Sequence, residues 1–347
     1  MSNETIISEI ADESQLDHLL SEPTPAVMSA VQHLDGDWMV LGVAGKMGPT
    51  LIRMAQRALE TLGRKQRVIG VARFSNAAEQ EKLQRWGIET IRCDLLDEKA
   101  LAKLPQAPNI IYMAGMKFGS TGNEALTWAM NTYLPALVCR RFPDSRIAAF
   151  STGNVYGLAP LSQGGSIESD SLNPTGDYAI SCLGRERMFQ YFSQSQGTRV
   201  SILRLNYACE LRYGVLVDLA QKVWNNLPVD LAMGNFNVIW QGDANAMAIA
   251  SLAQATSPAF MLNISGPELL SVRRVCEQFG KLMDRSVQFV GSESPDALLN
   301  NGKLGHRLYG YPRVGFEQML DWIAKWIMRS GRTLNKPTHF EARSGKF

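Results

Sequence analysis

Long apolar runs are absent from this sequence, and none approaches the roughly 18 residues that a membrane-spanning helix requires, so no membrane partner is expected. The opening MSNETIISEIADESQLDHLL shows no basic leader and no uninterrupted apolar core, and a secretory signal is not expected. Net charge is nearly absent too. Thirty-five Lys and Arg stand against 33 Asp and Glu, without the basic stripe of a nucleic-acid or membrane-surface binder. Histidine is scarce, and His18, His33, His306 and His339 lack metal-ligand spacing, so no metal is expected. The five cysteines are odd in number, scattered and free of any CxxC pair, which argues against a disulfide framework and for a reducing cytoplasm. Internal repeats and low-complexity tracts are missing. What remains, 45% hydrophobic and 20% charged residues, is the composition of a globular chain with a substantial core and a small-molecule partner.

The order of elements is informative. Residues 38–43 read as a buried strand, followed by a glycine-punctuated turn and a helical pattern through Leu51, Met54, Ala55 and Leu59. Strands at 67–72, 90–93, 109–113, 146–150 and 199–203 then alternate with helices at 77–86, 124–141 and 178–195. This alternation predicts an α/β fold, a doubly wound parallel-sheet Rossmann domain over residues 37–205, with right-handed crossovers. Beyond residue 205 the alternation weakens. Short segments at 238–241 and 259–264 mix with helices at 272–283 and 316–328, as in a smaller C-terminal substrate lobe over 206–330 that returns some segments to the Rossmann core. Residues 331–347 read as a loop or arm. Residues 1–36 carry Glu4, Glu9, Asp12, Glu13, Asp17 and Glu22 without Lys or Arg, and Ile6, Ile7, Ile10, Leu16, Leu19 and Leu20 fall at near-helical intervals. An acidic amphipathic helix follows, either solvated or docked on the Rossmann domain or a partner subunit.

Gly42-Val-Ala-Gly45-Lys46-Met47-Gly48 lies between the first strand and the first helix. Glycines there allow a tight turn and close backbone approach to a pyrophosphate, and the helix N-terminus supplies free N–H groups and a positive dipole end. A merely structural turn is the alternative, but the position after a buried strand favours a dinucleotide site. At the end of the second strand, where an acidic residue often receives the ribose 2′-hydroxyl, stands Arg73. Its guanidinium suits a 2′-phosphate and favours NADP over NAD.

From about Trp38 to Trp326 the chain resembles the NAD-dependent epimerase/dehydratase family, the extended short-chain dehydrogenases. Cys93-Asp94-Leu95-Leu96-Asp97 is similar to the family's adenine-contacting step, which implies that role for Asp94 and Leu95. Met113-Ala114-Gly115-Met116-Lys117 resembles the loop that touches the cofactor ribose and pyrophosphate, and Asn131 falls at a cofactor-positioning asparagine. Phe150-Ser-Thr152-Gly-Asn154-Val-Tyr-Gly157 resembles SSxxVYG, which places Thr152 at the catalytic Ser/Thr and Asn154 beside it on the substrate side. Tyr178-Ala-Ile-Ser-Cys182 lines up with YxxxK. The tyrosine is present, but Cys182 replaces the lysine that normally anchors the nicotinamide ribose and depresses the tyrosine pKa.

Three explanations of this departure stay open. Lys117 or Arg185 supplies the charge, a different acid/base operates, or the site holds cofactor without turnover. Lys117 is the preferred candidate because the family places its loop against the nicotinamide ribose. After the sixth strand, Asn206, Tyr207, Arg212 and Tyr213 are candidates for contact with a polyhydroxylated or anionic substrate. The resemblance thus implies an NAD(P)-dependent oxidoreductase or epimerase acting on a hydroxyl-bearing carbon of a sugar, nucleotide sugar or sugar acid. Tyr178 would withdraw the hydroxyl proton while Thr152 holds the oxygen. The alternative is a catalytically silent NAD(P)-binding sensor or regulator. Helices 124–141 and 178–195 correspond to the pair through which the family forms homodimers.

Overall fold

A computed structural model describes residues 8–117, 119 and 121–345. Its centre is a seven-stranded parallel sheet: β1 (Trp38–Leu41), β2 (Val68–Ala72), β3 (Glu89–Arg92), β4 (Asn109–Tyr112), β5 (Arg146–Thr152), β6 (Arg199–Leu205) and β7 (Phe260–Ile264), in the spatial order β7-β6-β5-β4-β1-β2-β3. The sequences WMVL, VIGVA and NIIY are buried along their whole length, and apolar apart from Asn109, because helices cover both faces of the sheet. Edge strand β3, ETIR, is partly exposed. Chain direction across the sheet reverses between β1 and β4, so a crevice opens at the carboxyl ends of these neighbouring strands. β1 stops at Leu41, two residues short of the expected end, because Gly42 turns the chain with φ +89. β5 instead runs on to Thr152, in register with Leu205 at the end of β6. Residues 260–264, part of the stretch where alternation weakened, form the edge strand β7.

The helix Gly48–Thr61 buries Leu51, Met54, Ala55 and Leu59 against the sheet. Helix Gly176–Gln196 packs across β5 and β6 on the other side of the crevice. A second core gathers the helices Val215–Trp224, Val272–Met283 and Phe316–Met328 around Trp240, whose ring meets Trp322 edge-on at 5.6 Å. The chain before β1 forms two helices, Glu13–Leu20 and Pro25–His33, docked on the helices Gly48–Thr61 and Gln241–Ala250. Acidic residues hold the first in place: Asp17 pairs with Lys82 and, at 3.2 Å, with Arg212, while Glu9 meets Arg329 at 2.6 Å. Glu4, Ile6 and Ile7 lie outside the described residues. The C-terminal arm has no regular structure among its described residues, yet Phe340 is buried against Phe236. No described helix is long and apolar enough to cross a membrane.

Candidate active site

A cavity of about 270 Å³ lies where the carboxyl ends of β1, β4, β5 and β6 meet the lobe. At its β1 end are Gly42, Gly45, Lys46 and Met47. A Cβ on Gly42 would fall 2.7 Å from the backbone of Ala114, so only glycine admits this close approach of the two loops. At Gly45 the nearest atom to such a Cβ is 3.4 Å away, so the fold tolerates a side chain that the cavity could not hold without losing its open floor. Gly48 opens the following helix, whose first turn has no side-chain cap. Exposed space over a glycine and an uncapped helix N-terminus fit a pyrophosphate. Lys46 adds a cation. Its Nζ donates to Ala208 O at 2.7 Å and lies 3.9 Å from the centre of the Tyr213 ring, and burial pulls its pKa down to about 8.

The β4 loop contributes Met113, Gly115, Met116 and Lys117 to the wall. Ala114 is buried behind it. Asn131 also stands behind, turned inward by a π-helical turn, Ala129–Tyr133; its side-chain amide accepts from Met116 N at 2.9 Å and donates to Met116 O at 2.9 Å. The amide thereby locks the loop that carries Lys117. Burial lowers the Lys117 pKa to about 8 as well, and its Nζ lies 5.8 Å from the centre of the Tyr178 ring.

Thr152 closes β5, accepts from the Asn154 N–H at 3.2 Å and contacts Asn154 Oδ1 at 3.3 Å. It is also hydrogen-bonded to the hydroxyl of Tyr178, which enters from the first turn of the helix Gly176–Gln196. Desolvation pushes the Tyr178 pKa far above the usual phenol value, and neighbouring Cys182 adds to this, while Arg185 and the Thr152 hydrogen bond oppose it. Behind the pair, Ser151 donates to Glu186 at 2.6 Å, and Glu186 forms a fully buried ion pair with Arg204 at 2.8 Å. This pair staples the tyrosine's helix to β6.

From the lobe come Asn206, Tyr207 and Tyr213, and from the C-terminal arm Thr338. Asn206 donates to Asn237 Oδ1 at 2.5 Å, so its amide is partly committed to the fold. Arg212, expected on the substrate side, does not line the cavity. It is drawn into ion pairs with Glu13, Asp17 and Glu210, because three carboxylates on that side outweigh an open wall that offers it none. Arg73, Asp94 and Leu95 lie outside the cavity too: Arg73 and Asp94 are exposed, Leu95 is buried, and the Asp94 carboxylate accepts from Leu96 N at 3.1 Å. Thr338 had no sequence signal, since it reaches the cavity from an arm 160 residues beyond Tyr178.

Residues 38–209 match the model of the NAD dependent epimerase/dehydratase family. Those residues, which carry β1 to β6, form a domain of that family. No curated protein sequence matches it significantly. Among solved structures, the chain is similar to dTDP-glucose 4,6-dehydratase of Bacillus anthracis in complex with NAD. The two are 15% identical with a TM-score of 0.71, over 85% of this chain and 97% of the other. UDP-glucuronic acid 4-epimerase of Bacillus cereus, also with NAD, is 17% identical with a TM-score of 0.67, over 85% and 99%. UDP-glucose 4-epimerase of Thermus thermophilus, in complex with NAD, is 19% identical with a TM-score of 0.68, over 83% and 98%. At such identities the likeness is one of fold.

Proposed function

We propose that the protein is an NAD(P)-dependent oxidoreductase or epimerase acting on a hydroxyl-bearing carbon of a sugar, nucleotide sugar or sugar acid. The observation that carries this reading is the meeting of the Thr152 and Tyr178 hydroxyls in the same cavity as the glycine loop. Gly42, Gly45, Lys46, Met47 and Gly48 would hold the pyrophosphate, the 113–117 loop the ribose, and Arg73, Asp94 and Leu95 the adenosine end. When bound, the nicotinamide supplies the hydride acceptor or donor. Tyr178 takes the proton from the substrate hydroxyl, and Thr152 fixes the oxygen from which it leaves. Lys117, 5.8 Å from the centre of the tyrosine ring, faces the cofactor and the substrate. Asn154, Asn206, Tyr207 and Tyr213 offer polar groups and ring faces to the substrate. A ketone released from the site is a dehydrogenation product; a ketone reduced in place gives the epimer.

Two finer features belong to this reading. NADP is preferred over NAD, because Arg73 is exposed just beyond β2 and has no ion-pair partner among the described residues. The protein works as a homodimer, since the exposed apolar residues Leu126, Trp128, Tyr133, Ile180 and Tyr191 all lie on the two helical segments through which the family pairs, and in the cytoplasm, where Cys93, Cys139, Cys182, Cys209 and Cys276 stay reduced.

The test is Tyr178→Phe, with nicotinamide absorbance followed over a panel of free and nucleotide-linked sugars and sugar acids. Turnover should vanish while NADPH binding, read by fluorescence, stays within about twofold. Full activity in the variant would overturn the assignment. Cofactor binding without turnover of any panel member by the wild type would favour the silent sensor.

A further inference from the structure

Position 182, one turn beyond Tyr178, holds a fully buried cysteine, but the next turn of the same helix face carries Arg185. This side chain is 7% exposed and lines the cavity. Its Nη1 donates to Phe150 O at 2.8 Å and its Nη2 to Asn131 Oδ1 at 2.5 Å, while its Nε has no hydrogen-bond partner among the described residues. Asn131 donates in turn to Ser181 Oγ at 3.0 Å, so one amide ties the tyrosine's helix, the guanidinium and the β4 loop together. The contact with that loop is close. A Cβ on Gly115 would lie 2.2 Å from Arg185 Nη2, so the glycine is needed for the guanidinium to sit there.

We propose that Arg185, clamped between Asn131 and the Phe150 carbonyl, is the positioning cation that replaces the family lysine, supporting Tyr178 electrostatically and holding the 113–117 loop against the cofactor. The proposal rests on the role given to Tyr178 above.

The groups facing Tyr178 sort the candidates. From its own helix come Cys182 and Arg185, from β5 Thr152, and from the β4 loop Lys117. Glu186 is neutralised by Arg204 and hydrogen-bonded by Ser151. Burial holds Lys117 at about 8, so this amine sheds its charge just above neutrality. A guanidinium remains charged at any such pH, and its planar fork matches two fixed acceptors in a way an ammonium cannot. Arg185 is also the cation whose charge opposes the upward shift of Tyr178. A longer side chain rooted seven residues on therefore occupies the electrostatic place of a lysine rooted four residues on, and leaves Lys117 to face the ligand.

Difluorotyrosine at position 178, more acidic than tyrosine, lets ring ionisation be followed by absorbance in the NADP+ complex without any turnover. Arg185→Met should raise the midpoint by about one pH unit or more and weaken NADPH binding about tenfold, and Arg185→Lys should recover part of both losses. Lys117→Met should leave the midpoint within about 0.3 pH units. An unchanged midpoint in a folded Arg185→Met protein, or a larger shift in Lys117→Met, would overturn the proposal. Should Arg185→Met not fold, Asn131→Ala releases the guanidinium but keeps its charge; it should still raise the midpoint, and no change there is equally fatal. Because ionisation and cofactor affinity are read without substrate, absence of turnover would count against the proposed function and not against Arg185.

Discussion

Replacing Lys46 should change how cofactor binding depends on pH. The ammonium is partly buried between the glycine loop and the lobe, with Ala208 O as acceptor and the Tyr213 ring beneath it, and desolvation brings its pKa down to about 8 against the opposing pull of Glu210. A pyrophosphate beside it favours the charged form and returns the group towards its ordinary value of about 10.5. Binding therefore takes up protons. In the free protein the lysine passes from about nine-tenths protonated at pH 7 to about one-tenth at pH 9, whereas in the complex it stays charged across that interval. Linkage then weakens binding about tenfold between these two pH values, with an uptake of about half a proton at pH 8 from this group alone. Lys117 titrates over the same interval, so the decisive quantity is the difference between wild type and Lys46→Met. NADPH fluorescence titrations at fixed ionic strength should show the variant binding more weakly at pH 7, with a pH slope reduced by about one power of ten. Calorimetry in two buffers of different ionisation enthalpy should show the lost half proton. Identical slopes and identical proton uptake in the two proteins would refute the placement of the pyrophosphate beside Lys46.

Arg73→Asp should weaken NADPH binding by about tenfold or more and leave NADH affinity within about twofold, since only the 2′-phosphate meets the guanidinium; equal losses for both cofactors would remove Arg73 from the site. Glu186→Ala strands Arg204 in the core without its carboxylate, at a cost of about 3–5 kcal/mol. With an unfolding entropy of about 2.1 cal/mol/K per residue over 347 residues, scanning calorimetry should record a Tm about 4–7 °C lower, and a fall of less than about 1 °C would show that the pair does not hold this helix to β6.

Much of the chain could be read without coordinates. Parallel strands buried on both faces read as near-continuous apolar runs, so WMVL, VIGVA and NIIY, polar only at Asn109, announced themselves, and the alternation with helices implied the doubly wound sheet. Gly42, Gly45, Thr152 and Tyr178 belong to local motifs, whose spacing reflects one turn or one helix and therefore survives in linear sequence. Other features depend on distant partners. Lys46 reaches a carbonyl 162 residues away, and Arg212 is drawn from the cavity by Glu13, 199 residues before it. Asn131 meets Arg185 across 54 residues, and Thr338 arrives from the far end of the chain. Periodicity and short motifs determined which segments are strands and helices and which hydroxyls stand at their ends, because these follow from bonds within a few residues. Which cation sits behind Tyr178, which arginine leaves the site and which residue of the arm enters it were decided by the tertiary structure alone, because burial and charge pairing act between side chains that only the packed fold brings together.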